Sequence, residues 1–172
     1  MILTGREIEN SIEQGLIKIT PFNKNHIGPN SLDLTLSDEL FVYTSDLDMK
    51  QEPECQIVKI PETGLKLLPG EFYLGKTVER TFTEHFVPQI EGRSSIARLG
   101  MSIHQSAGFG DIGFDGCWTL EIICSLPIIV YPNVRICQIF FHTFEGEVID
   151  YRENGKYGGN RIQVSRLYKD FQ

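Results

Sequence analysis

The chain has 172 residues, with 16 Lys or Arg against 23 Asp or Glu and a net charge of −7. That length holds one domain with a real core and is short for two, and 41% hydrophobic with 23% charged residues is a globular mixture. The acidic balance excludes nonspecific binding to DNA or RNA, no apolar run reaches the ~20 residues that cross a bilayer, and the start, with Arg6, Glu7, Glu9 and Glu13, is no secretory signal.

Thr4 to Glu7 reads as a capping box, followed by Ile8, Ile12 and Leu16 at helical spacing and Gly15 as a stop, so one short amphipathic helix is predicted at the start. Pro21, Pro29 and Asn30 then break the chain. Leu32, Leu34 and Leu36 alternate with Asp33 and Thr35, which predicts a half-buried strand. Further β-type runs are expected at residues 40–43, 56–60, 72–74, 117–124, 128–131 and 136–141, parted by Gly and Pro turns such as Leu68-Pro69-Gly70 and Tyr131-Pro132-Asn133. Many short strands and one helix predict a mainly β barrel or sandwich over residues 1–172, without parallel βαβ units. Residues 153–172 are rich in Gly, Asn, Lys and Arg and build little core. Composition alone reads them as a frayed terminus; a mobile lid over an anion is the sharper reading.

The four cysteines form no C-x-x-C, and Cys117 and Cys124 sit in or beside apolar runs, so reduced thiols and a cytoplasmic setting are expected. The four histidines are scattered and none opens an H-x-E, so the pattern of a zinc deaminase is missing and no metal ligand set is read. Residues 108–113 spell G-x-G-x-x-G, but a strand-like run follows them instead of a helix. Dinucleotide binding is therefore set aside in favour of a tight turn or a close backbone approach.

Two features carry more chemistry. Arg93-Ser94-Ser95-Ile96-Ala97-Arg98 places two cations and two hydroxyls within six residues, where a one-turn helix would aim forks and hydroxyls at a phosphate; a polar surface loop reads the residues as well. Glu121 lies inside the apolar run from Trp118 to Ile123, and alternation puts it on one face with Thr119, away from Leu120 and Ile122. A carboxylate in such company is either paired with a cation or functional.

Together with Met1 to Gly5, Pro29 to Leu34, Glu91-Gly92, Leu99-Gly100, His104 to Gly108, Asp111 to Phe114, Gly116 to Glu121, Cys137-Gln138, Gly155-Lys156-Tyr157 and Ser165-Arg166, these residues resemble the dCTP deaminase branch of the trimeric dUTPase superfamily over essentially the whole chain. The resemblance implies a distorted β-barrel or jelly-roll subunit, a homotrimer with active sites at subunit boundaries, and metal-free hydrolytic deamination of dCTP, with Mg2+ entering only on the triphosphate. It implies Glu121 as general base and acid, with Ser94 and the backbone of Ala107 placing the water and Arg98 orienting Glu121. Nucleotide contacts fall on Arg93, Ser94, Ser95, Ile96, Ala97, Arg98, Asp111 (deoxyribose), Thr119, Leu120, Gln138, Tyr151, Lys156 and Asn160, the last standing where relatives carry Gln. Residues 153–172 become the lid, and dTTP a feedback inhibitor. The primary product expected is dUTP, for which Ala97 argues. Ala107-Gly108-Phe109 instead resembles bifunctional members that go on to dUMP and pyrophosphate, and a non-catalytic nucleotide-binding regulator would have lost Glu121 or Arg98.

Overall fold

In the computed structural model, which describes residues 1–172, the chain opens with helix α1 (Gly5–Glu13). Thr4 caps it by accepting the Glu7 N–H at 3.4 Å, while the Glu7 carboxylate turns to Asn10 rather than back to Thr4, so only half of the expected capping box forms. Ile8 is fully buried, and burial of such a side chain is worth about 1.5–3 kcal/mol. Gly15, at φ 74°, takes the left-handed turn that ends the helix.

Eleven strands follow. β1 (Ile17–Thr20), β2 (Leu32–Thr35), β3 (Glu39–Tyr43), β4 (Cys55–Lys59), β5 (Leu65–Leu67), β6 (Tyr73–Thr83) and β7 (Val87–Gly92) precede the one-turn helix α2 (Ser94–Ala97). β8 (Met101–Ser102), β9 (Asp115–Cys124), β10 (Ile128–Val130), β11 (Arg135–His142) and a short helix α3 (Tyr151–Asn154) come next, with 3-10 turns at Lys24–His26 and Leu167–Phe171. All strand pairs are antiparallel. One sheet runs β4-β3-β6-β9-β8 with β1 also on β6, a second runs β2-β11-β7, and β5 pairs with β10. Leu32, Leu34, Leu40, Ile90, Leu120, Ile122, Ile139 and Phe141 lie in one contiguous core. This is the mainly β, distorted-barrel architecture that the sequence predicts. No helix is long and apolar enough to cross a membrane.

Strand β6 is far longer than the predicted run at residues 72–74, because a bulge carries it past its charged middle. Its register with β9 shifts between Lys76 and Arg80, and Thr77 stitches the gap: its hydroxyl donates to the Glu79 carbonyl at 2.8 Å and accepts from the Trp118 N–H at 3.0 Å. The bulge turns Glu79 inward. Its carboxylate accepts the Thr35 N–H at 2.8 Å and the Thr35 hydroxyl at 2.9 Å, so Thr35 is buried and not on the solvent face that alternation assigns to it. Strand β7 was hidden by Pro88, which is tolerated because β7 pairs with only one strand, β11, and its free edge is padded by the loop at residues 108–110. There Ile90 donates to Gly108 at 2.7 Å and Gly110 donates to Pro88 at 2.9 Å. A side chain at Gly110 would strike Trp118, so this glycine serves close packing within the protein.

The tail is not frayed. Gly159 bridges strand β9 by donating to the Asp115 carbonyl and accepting from the Cys117 N–H, both at 2.9 Å, and the Gln163 N–H donates to the Thr119 hydroxyl at 3.1 Å. Ile162 is buried. Glycine-rich composition hides this because the ordering comes from backbone pairing with β9.

Candidate active site

Strand β9 delivers Thr119 and Glu121 to one face while Leu120 and Ile122 go to the core, as alternation predicts. That face floors a cavity of about 540 Å³. Tyr43, Leu47 and Phe72, then Ala107, Phe109, Asp111 and Phe114, then Tyr151, and finally Tyr157, Gln163, Val164 and Ser165 of the tail line it. Phe114 packs against Trp118 at 5.1 Å and against Tyr151 at 5.8 Å between ring centroids. The lining is mainly apolar with few polar groups, the usual character of a small-molecule site.

The Glu121 carboxylate accepts one hydrogen bond, on Oε2 from the Gln105 N–H at 2.9 Å, and the Glu121 N–H donates to Ile103 at 2.8 Å. The segment from Ile103 to Ala107 is thus tied to the strand that carries the carboxylate. No cation of the same chain pairs with Glu121, whose Oε1 accepts no hydrogen bond and whose side chain lines the cavity. Burial raises the Tyr43 phenol and the Cys117 thiol above their ordinary values, so both stay protonated near neutral pH.

The expected site residues fall into two groups. Ala107, Asp111, Thr119, Glu121 and Tyr151 line the cavity, whereas Leu120 does not and its side chain is fully buried in the core. Asp111 and Tyr151 also line an adjoining cleft that contains Lys156, whose ammonium pairs with Asp170. Asn160 lines neither; its Oδ1 faces the Cys117 thiol at 4.0 Å. Arg93, Ser94, Ser95, Ile96, Ala97, Arg98 and Gln138 are outside the cavity. Helix α2 forms as expected and Ile96 anchors it in the core, leaving Ser94, Ser95, Ala97 and Arg98 exposed. Arg93 pairs with Asp33 at 3.0 Å, and Gln138 accepts from Ser31 at 3.2 Å. A cleft of about 480 Å³ between β1, β6 and α3 holds Lys18, Arg80 and Arg152. Arg80 is matched by Asp115 at 2.6 Å and Arg152 by Asp150 and Glu84, which makes it a poor anion site.

Sequence reasoning missed Tyr43, Leu47, Phe72 and Gln105. Tyr43 and Phe72 stack at 6.1 Å, and nothing in their local pattern separates a cavity wall from a core strand. Gln105 acts through its backbone, which leaves no signature in residue type.

An antiparallel β domain with a carboxylate in an aromatic-lined cavity is the class that the fold and site define. The same fold is seen in 2'-deoxycytidine 5'-triphosphate deaminase from Agrobacterium tumefaciens, with a TM-score of 0.65 at 21% identity over 83% of this chain and 48% of that one. This chain spans about half the length of that structure's chain. Over its full length the chain is 53% identical to a "dCTP deaminase, dUMP-forming" of Hathewaya histolytica, all of which is covered. It is 55% identical to a protein of the same description from Clostridium beijerinckii, with 100% of this chain and 99% of the relative covered. Residues 2–144 match the dCTP deaminase-like family. The chain belongs to that family.

Proposed function

We propose that this chain deaminates dCTP by hydrolysis and then cleaves the triphosphate of the product, releasing ammonia, dUMP and pyrophosphate. The observation that carries this reading is that one cavity holds both Glu121, on its floor, and Asp111, at the junction with the Lys156 cleft. Two separate carboxylates suit two hydrolyses, one at the base and one at the α-phosphate. The descriptions of the full-length relatives favour dUMP over dUTP as the final product.

Deamination begins as Glu121 Oε1 takes a proton from a water that attacks C4 of the cytosine, giving a tetrahedral carbon bearing hydroxyl and amino groups. Glu121 passes that proton to N3, takes the hydroxyl proton and delivers it to the amino group, which leaves as ammonia with the C4 carbonyl restored. The Gln105 N–H holds Oε2, so the carboxylate keeps its aim through both transfers. Asp111 contacts the deoxyribose and then activates the water that attacks the α-phosphate. Substrate is the Mg2+ complex of the nucleotide, and no zinc takes part.

Ser94, Ser95 and Arg98 stay exposed, and Arg98 has no acidic partner in its own chain. These residues complete the cavity of a neighbouring copy in a homotrimer, bringing the Ser94 hydroxyl to the attacking water and the Arg98 charge to Glu121 and the intermediate. The tail serves as lid, and dTTP competes through the sugar and phosphate contacts it shares with dCTP. Incubation of the pure protein with dCTP and Mg2+, with products resolved by chromatography, tests this directly. Expected are dUMP and pyrophosphate; dUTP alone removes the second hydrolysis, and unchanged dCTP removes both.

A further inference from the structure

The β2-β11-β7 sheet turns one face away from the core, and on it the register sets Asp33, Gln138 and Glu91 side by side across the three strands. Asp33, only 14% exposed, holds two arginines on one oxygen: Arg93 Nε at 3.0 Å and Arg135 at 3.3 Å. Arg93 also donates to the Arg135 carbonyl at 3.0 Å, so its guanidinium is fixed at two points. Glu91, the other neighbour of Gln138 in the row, turns to His104 at 3.2 Å and leaves this cluster to Asp33.

Two guanidinium groups converging on one carboxylate oxygen leave a net positive charge, in a chain whose overall charge is −7. Arg135 spends one of its five N–H groups on Asp33, is 47% exposed, and presents the rest as a fork suited to phosphate oxygens. Its place is set by the irregular register between Arg135 and Cys137, which re-aims the side chain at the start of β11 toward Asp33. Neither Asp33 nor Arg135 belongs to the residues that the family resemblance brings to the nucleotide.

We propose that Arg135 is a further phosphate-binding residue, taking the terminal phosphate of the nucleoside triphosphate beside Arg93, and that Asp33 is a positioning residue that holds both guanidinium groups ready. This rests on the proposed reading of the chain as an enzyme of dCTP. The under-neutralised cluster then supplies discrimination by phosphate chain length, because a monophosphate does not reach it.

The test measures binding of dCTP and dCMP, and dCTP turnover, for the wild type, Arg135→Gln and Arg135→Lys. Arg135→Gln is expected to weaken dCTP binding roughly 10-fold or more while dCMP binding stays within about twofold, the loss expected of one charge-assisted contact. KM for dCTP rises in parallel and kcat at saturation is kept, and Arg135→Lys restores part of the dCTP affinity. Asp33→Asn is expected to move dCTP affinity in the same direction without moving that of dCMP. Equal weakening of dCTP and dCMP in Arg135→Gln, or no weakening of either, overturns the proposal. If wild type binds dCTP without turning it over, the enzymatic reading fails while the binding comparison still decides the role of Arg135.

Discussion

The proposed chemical role of Glu121 rests on what the carboxylate lacks. Its oxygen Oε2 is held by one backbone N–H, its other oxygen accepts no hydrogen bond, and no cation of its own chain neutralises it. Glu121→Gln keeps the shape and the bond to Gln105 but removes the proton acceptor. The expected result is a fall in dCTP turnover of roughly 10²–10⁴-fold, with dCTP binding within a few fold and hydrolysis of added dUTP retained through Asp111. Loss of binding or of the melting transition together with turnover would make the carboxylate structural instead. The pattern of β9 makes Glu121 legible, since one carboxylate interrupts an apolar run on the opposite phase. Glu79 was not legible: in a strand with Lys76 and Arg80 nearby it reads as solvent-facing, and only the bulge at Thr77 turns it toward Thr35. A bulge costs one residue of register and leaves no mark in composition.

At the scale of elements, the tail shows how an anchor makes an irregular segment useful. Asp150 caps α3 by accepting the Arg152 N–H at 2.8 Å and pairs with its guanidinium, which also reaches Glu84 on the loop after β6. The Arg152 side chain beside Asp150 holds its carboxyl down at about 2. Because that value lies below the unfolded reference of roughly 3.9, the anchor is complete above pH ~4 and is lost as pH falls toward 2. Asp150→Asn is expected to reproduce the loss at neutral pH. Amide exchange across residues 151–160 then speeds up, while the β6-β9 amides keep their protection and KM for dCTP rises. Unchanged exchange in the tail would show that pairing of Gly159 with β9 suffices without the anchor. Helix α1 and most strands were readable because a cap or an alternation announces each of them. Strands β1, β5 and β8 were not, being short and without a marked apolar run, nor was β7, hidden by Pro88, and the tail was not, because its order comes from backbone contacts with β9.

The whole molecule raises the question of how two groups of site residues, both present in one chain, come to act together. Glu121, Asp111 and Thr119 lie in the cavity, whereas Ser94, Ser95 and Arg98 stand exposed outside it, and Arg93 with Arg135 gathers around Asp33. The proposed site, completed by a neighbouring copy, would bring the two groups together. The most direct measurement mixes two inactive variants, Glu121→Gln and Arg98→Ala, under conditions that let subunits exchange, and follows dCTP turnover. If each site takes Glu121 from one copy and Arg98 from its neighbour, random mixed trimers in equal proportion regain roughly a quarter of wild-type activity. If both residues of a site come from the same chain, every site in the mixture carries one lesion and turnover stays at the level of the separate variants, which would contradict the shared site.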